Sequence, residues 1–354
     1  KVVALFHGDS TLAQPQIVAS PSLSADPFNA ALLALLAGTR HPAAPAAPVN
    51  VHAAAANDAP PRFSIPADYA VVEGGPKAKF RANLRAIEIL RATDADGRAA
   101  TPAECLELVR YCGWGGLQQA FRRADGSCAE GWVKEVAALE SALTPEELDQ
   151  VRATTTDAFY TPREVVDAIY AGLARLGFKG GRVLDPATGT GHFVGMAPPA
   201  LREAMRFTTV EIDPLSASIA SCLYPEARVR VTAFQDFAVR HGSFDAAVGN
   251  TPFGTLAPFD ALNKDLRGFS IHNYFVAKSL RALASGGLLA MVVSRHLMDK
   301  QFSAERRWMT ERARLLGAIR LPNNTFAAGA GTSVVADILF LQRLAPGEDG
   351  NPEA

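Results

Sequence analysis

Val183-Leu-Asp-Pro-Ala-Thr-Gly-Thr-Gly191 is the stretch that decides the fold. Its apolar start reads as a short strand, and the glycines at 189 and 191 mark a turn where backbone amides can approach a ligand that side chains would hold away. Working outward, further short apolar runs alternate with helical patterns, so strands are expected at 182–184, 207–211, 229–233, 245–249, 288–294, 316–321 and 334–342. Alternation of this kind predicts an α/β fold: a seven-stranded, largely parallel, doubly wound sheet with helices on both faces. Ligands in such sheets bind beyond the carboxyl ends of the strands, so the residues just after each strand are the candidates for chemistry.

A glycine turn alone serves a nicotinamide, a flavin or simply a tight bend. The end of the next strand, Val210-Glu-Ile-Asp213, adds an acidic residue about twenty positions on, where Glu211 can accept hydrogen bonds from both hydroxyls of a ribose. That pair implies a nucleoside without identifying it. In Ala233-Phe-Gln-Asp-Phe237, Asp236 can accept from an adenine amino group while Phe237 covers the ring; alternatively Asp236 caps a helix and Phe237 is core. Upstream, Tyr160 and Thr161 of Ala158-Phe-Tyr-Thr-Pro162 either hold the far end of the ligand or mark a helix start, with Thr161 as cap and Pro162 in the first turn.

Gly249-Asn-Thr-Pro-Phe-Gly254 follows the fourth strand and carries the sharpest chemical signal. An exocyclic aromatic amine is a poor nucleophile because its lone pair is delocalised into the ring. The Asn250 carboxamide oxygen can accept one of its hydrogens, and the turn fixed by Pro252 can aim the Thr251 carbonyl at the other, drawing the nitrogen toward a tetrahedral shape. Phe253 offers a flat face for an extruded base. The bland reading, a turn that merely ends a strand, is weakened because the segment lies downstream of a glycine turn and acidic strand ends in the same order.

Phe-Tyr-Thr-Pro, Asp-Pro-Ala-Thr-Gly-Thr-Gly, Glu-Ile-Asp, Gln-Asp-Phe and Asn-Thr-Pro-Phe, in this sequence order, resemble the amino-group DNA methyltransferases with the cofactor-first motif arrangement, which makes adenine N6 the first expectation for the acceptor. In that family the last motif usually reads Asn-Pro-Pro-Tyr or Asn-Pro-Pro-Phe, so Thr251 departs from its middle proline. Arg110-Tyr-Cys-Gly-Trp-Gly-Gly116, Phe178-Lys-Gly-Gly-Arg-Val183, Ile271-His-Asn-Tyr-Phe275 and Gly317-Ala-Ile-Arg-Leu-Pro-Asn-Asn324 further resemble large plasmid- or phage-borne methylase–helicase polypeptides, over roughly residues 78 to 343.

The resemblance implies a Rossmann-like S-adenosylmethionine-dependent methyltransferase sheet behind an N-terminal helical region, and DNA as partner. A helicase or target-recognition domain would lie outside this chain. Candidate cofactor contacts are then Tyr160, Thr161, Asp185, Ala187, Gly189, Gly191, Glu211, Ile212, Asp236, Phe237 and Asn250; candidate catalytic residues are Asn250, Thr251, Pro252 and Phe253. Cytosine N4, an RNA base, a protein glutamine amide and a non-catalytic binding module remain the rival readings.

The rest of the chain sets limits. A formal net charge of -1 over 354 residues argues against whole-molecule attraction to a polyanion, so a nucleic-acid surface must be a local patch. One candidate is the run from 295 to 320, with Lys300, Arg306, Arg307, Arg312 and Arg314 against few acids, although a solvated helix face explains it equally well. His192 and His272 read as structural histidines, since amine methylation demands no strong base.

Cys105, Cys112, Cys128 and Cys222 form no CxxC pair, so neither a disulfide framework nor a metal site is expected and a cytoplasmic setting fits. No apolar run approaches the ~20 residues a membrane helix needs. The start at Lys1 points to a piece of something longer. Residues 1–68 are expected to be an Ala/Pro-rich linker, with a short docking helix at 27–36; 69–156 a helical accessory domain; 157–343 the catalytic domain; and 344–354 a tail. In the helical region Phe80, Leu84, Ile87 and Leu90 form an apolar stripe, with Lys77, Lys79, Arg81, Arg85 and Arg91 largely off it. Thr101-Pro-Ala-Glu104 and Thr144-Pro-Glu-Glu147 read as capping boxes that start two more helices.

Overall fold

All seven expected strands form. The computed structural model describes residues 4–5, 62–69, 74–153, 161–254, 256–300, 303–326 and 335–348. Its strands are β1 (Ala4–Leu5), β2 (Gly181–Asp185), β3 (Met205–Glu211), β4 (Arg228–Val231), β5 (Phe244–Asn250), β6 (Leu283–Ser294), β7 (Ala313–Arg320) and β8 (Ala336–Arg343). They make one sheet in the order β1-β7-β8-β6-β5-β2-β3-β4. Strands β2 to β6 pair in parallel, whereas β8 runs antiparallel to both β6 and β7. This is the Rossmann-like sheet expected from the sequence, extended at one edge by the two-residue strand β1.

The middles of the central strands are apolar because both their faces are buried. Val183, Ala246, Val248, Ala290 and Val292 project into one core, while Leu184, Ala247, Leu289, Met291 and Val293 project into the other. That is the two-residue alternation of a strand read on two packed faces.

Helices α1 (Pro76–Asp96), α2 (Pro102–Leu108), α3 (Val133–Ala142) and α4 (Pro145–Ala153) form the accessory region. α5 (Arg163–Arg175), α6 (His192–Gly195), α7 (Pro199–Glu203), α8 (Pro214–Leu223), α9 (Ile271–Ala282), α10 (His296–Asp299) and α11 (Ala304–Thr310) belong to the sheet. Both capping boxes are present: Thr101 and Glu104 exchange bonds across the start of α2, as do Thr144 and Glu147 across that of α4. The start of α5 differs from expectation, because Pro162 rather than Thr161 takes the cap position.

The accessory helices share one continuous core with α5 and the sheet. On α1, Phe80, Ile87 and Leu90 are buried as expected, but so is Asn83, which the stripe had not included. Its amide donates to the Gly113 carbonyl at 2.5 Å and accepts from the Cys112 N–H at 2.9 Å. Two basic residues of α1 pair with neighbouring helices, Lys77 with Glu135 and Arg91 with Glu147.

The end of the expected linker, residues 62–68, is docked. Ile65 is buried, its N–H donates to the Gly195 carbonyl, and Arg202 and Arg163 donate to the Phe63 and Ile65 carbonyls. The expected docking helix at 27–36 lies outside the described residues. No helix among those residues is long and apolar enough to cross a membrane.

Candidate active site

The chain order places β3 and β5 on opposite sides of β2, so the carboxyl ends of these strands diverge and leave a crevice. A cavity of about 560 Å³ opens there. Every strand end singled out in the sequence contributes to it, through Ala187 and Gly189 after β2, Glu211 and Ile212 after β3, and Asn250 to Phe253 after β5. Thr161 also lines it; Tyr160 lies outside the described residues.

The turn after β2 is held by the acidic residue after β3. Gly189 adopts φ +55°, which favours glycine, and its N–H donates to Glu211 Oε2 at 2.7 Å. Glu211 Oε1 accepts from the Asp213 N–H at 2.9 Å. Burial pushes the Glu211 carboxyl up to about 7, against these two amide bonds, which pull it down. Each oxygen keeps a further lone pair for a ligand hydroxyl. Ile212, two-thirds exposed, offers an apolar cover at the rim.

Four expected contacts do not reach the wall. Asp185 is fully buried behind the strand end, where a side chain at position 249 would meet its carboxylate, and burial raises it to about 7. Gly191, at φ +86°, serves packing, since a Cβ there would sit 2.6 Å from the Tyr224 ring. Asp236 is exposed and Phe237 stacks on Phe234 at 6.5 Å, so the turn instead presents Ala233, Phe234 and Gln235 to the cavity. The signal existed in the same pentapeptide, but its phase along the turn was set by packing against α9.

At the end of β5 the Asn250 Oδ1 is buried and has no hydrogen-bond partner among the described residues. An acceptor so placed costs stability unless a ligand supplies a donor. Thr251 points the other way: its N–H and Oγ1 donate to the Val292 carbonyl of β6 at 3.1 and 3.0 Å. Pro252 and Phe253 complete that wall.

Tyr111 and Gly113, on the segment pinned by Asn83, and Gln150 and Ala153 of α4 also line the cavity. The accessory region therefore contributes part of the site. His192 lines it too, and burial lowers its pKa to about 4, so it is neutral at pH 7. The described residues hold no cluster that would bind a metal.

The basic run from 295 to 320 is neutralised in part. Arg320 pairs with Asp299 and Asp337, Arg312 with Glu311, and the Arg306 guanidinium donates to the Met298 carbonyl.

No protein-family model matches the chain. It is 27% identical to the defense against restriction protein B of Escherichia phage P1 over 278 residues, which is 77% of this chain and 10% of that protein. It is 30% identical to the type II methyltransferase M.TthHB8I of Thermus thermophilus over 154 residues, 38% of this chain and 35% of that one. The chain thus spans about a tenth and about a third of these two relatives. Among solved structures, a Listeria monocytogenes protein described as a class I S-adenosylmethionine-dependent methyltransferase is 16% identical at a TM-score of 0.49, covering 78% of this chain and 90% of that one.

Proposed function

We propose that the chain is the catalytic part of an S-adenosylmethionine-dependent methyltransferase whose acceptor is an exocyclic amine of DNA, adenine N6 first. The single observation that carries this reading is the unpartnered Asn250 Oδ1 in the same cavity as Gly189 and Glu211. The similarity to a type II methyltransferase and to a phage protein concerned with restriction supports it.

The donor set fits the cofactor. Glu211 would take the ribose hydroxyls, Ile212 and Phe234 would flank the adenine, and the 187–189 turn would line the methionine end. When bound, S-adenosylmethionine would supply an electrophilic methyl to the amine nitrogen, with the C–S electron pair returning to sulfur and the displaced N–H proton passing to solvent water.

The protein's share is positional. Asn250 Oδ1 and the Thr251 carbonyl accept the two amine hydrogens and localise the lone pair, and Phe253 stacks on the base. Holding the two reactants together in one orientation can supply about 7 kcal/mol or more of the barrier, so neither a strong base nor a covalent nucleophile is required.

The test is incubation of the full chain with labelled cofactor and DNA, RNA or protein, followed by digestion and identification of the methylated product. N6-methyladenine in DNA, abolished by Asn250→Ala with cofactor affinity intact, is the expected result. Methyl transfer confined to RNA or protein, or wild-type rates in the variant, would overturn it.

A further inference from the structure

The loop that continues from the Asn250 motif exposes three large apolar side chains in a short span: Leu256, Phe259 and Leu262 are each about two-thirds or more in solvent. Leu256 also lines the cavity, so this apolar surface begins at the cavity mouth. The Arg267 guanidinium sits 5.5 Å from the Phe259 ring centroid, and Lys264 is exposed nearby in sequence.

The two carboxylates of this span are both engaged by the protein itself. Asp260 is buried against Lys278 at 2.9 Å and accepts from Tyr274 at 2.6 Å and from the Asn263 side chain at 2.7 Å. Asp265 is paired with Arg281 and accepts from the Trp308 indole at 3.0 Å. The loop therefore presents apolar and aromatic side chains with two cations, on a backbone held from beneath.

We infer that residues 256–268 form the surface that engages DNA next to the extruded base, with Phe259 as a stacking platform and Lys264 and Arg267 on the adjacent phosphates. Charge complementarity selects this partner: a polyanion with unstacked bases matches apolar faces interleaved with cations and no available carboxylate. A chain with a net charge of -1 needs such a local patch, and in the segment from 295 to 320 Lys300, Arg312 and Arg320 are already paired with carboxylates of the protein. This inference rests on DNA being the acceptor.

The experiment is fluorescence anisotropy of a labelled 30-base-pair duplex against the full chain at several salt concentrations, with Phe259→Ser and the pair Lys264→Gln and Arg267→Gln. Thermal melting and cofactor affinity serve as controls for folding. The expected result is about tenfold weaker binding for F259S with an unchanged salt dependence. For the double charge variant, the slope of log affinity against log salt should shrink by about 1 to 2. Wild-type affinity and slope in both would overturn the inference, as would variants that keep DNA affinity while losing self-association in sedimentation.

The two proposals fail separately. DNA methylated equally well by wild type and F259S, with equal binding, removes the loop's role and leaves the activity standing. DNA binding lost in F259S by a protein that methylates no DNA retains the loop's role and removes the activity.

Discussion

Thr251 donates twice to the carbonyl of Val292, through its N–H at 3.1 Å and its hydroxyl at 3.0 Å, and so ties the Asn250 turn to β6. A proline at this position would stiffen φ but could make neither bond. The threonine is thus a different way of holding the same turn. Thr251→Pro is expected to destabilise the protein by about 1–3 kcal/mol, because the Val292 carbonyl loses both donors. Thr251→Val, which keeps the N–H, should cost about half as much. Denaturant unfolding checks both; a proline variant as stable as wild type would show that the two bonds do not matter.

Cofactor affinity should rise with pH up to about 7. The buried Glu211 carboxyl is raised to about 7 in the free protein, and ribose hydroxyls favour its ionised form. Binding therefore lowers that pKa and releases a proton below neutrality. Affinity is lost as pH falls through about 7, and calorimetry at pH 6.5 in buffers of different ionisation enthalpy should detect the release. Glu211→Gln should bind weakly with a flat pH profile; a profile identical to wild type would remove Glu211 from the site.

Gly195 and Tyr224 should behave as a coupled pair. A Cβ at 195 would overlap the Tyr224 hydroxyl, which is itself buried with no hydrogen-bond partner among the described residues. Gly195→Ala should be destabilising by about 2 kcal/mol, a typical overpacking cost. Tyr224→Phe alone should be neutral or mildly stabilising, since it deletes an unsatisfied hydroxyl, and should recover part of the loss in the double variant. Additive thermal shifts would contradict the clash.

Lys278 is buried and donates to the Phe234 and Gln235 carbonyls at 2.6 and 3.0 Å as well as to Asp260, so it joins one cavity wall to the loop beyond Asn250. Burial alone would raise the Asp260 carboxyl, but bonds from Tyr274, Lys278 and Asn263 hold it well below its ordinary value. Lys278→Met leaves that carboxylate buried with one partner fewer, for which about 3–5 kcal/mol is expected. Equilibrium unfolding of K278M and of the double variant K278M/D260L measures it. The double variant should be the more stable of the two, and the reverse order would show that the pair is not coupled.

Much of the site was legible because it lies at strand ends, where local sequence dictates local geometry. Gly189, Glu211 and Asn250 each follow an apolar run, and the sheet order alone carries them into one crevice. Asp236 and Phe237 were misplaced for the same reason in reverse: their turn has no strand periodicity, so packing of Phe234 against Phe275 at 4.9 Å set its phase. Gln150 gave no local signal, and Tyr111 and Gly113 were marked only by the resemblance of the segment 110–116, because their approach to the cavity depends on contacts far apart in sequence, such as that of Asn83 with Gly113.

By itself, then, the sequence determined the strands, their alternation with helices and the identity of the groups at the strand ends, since these follow from hydrophobic period and turn chemistry over a few residues. Only the tertiary structure decided which of those groups face the cavity, that the Thr251 N–H and hydroxyl grip Val292, and that the accessory helices close one side. Those outcomes depend on burial and on bonds between distant segments, in which an orphaned carboxamide such as that of Asn250 becomes visible only when every neighbour is in place.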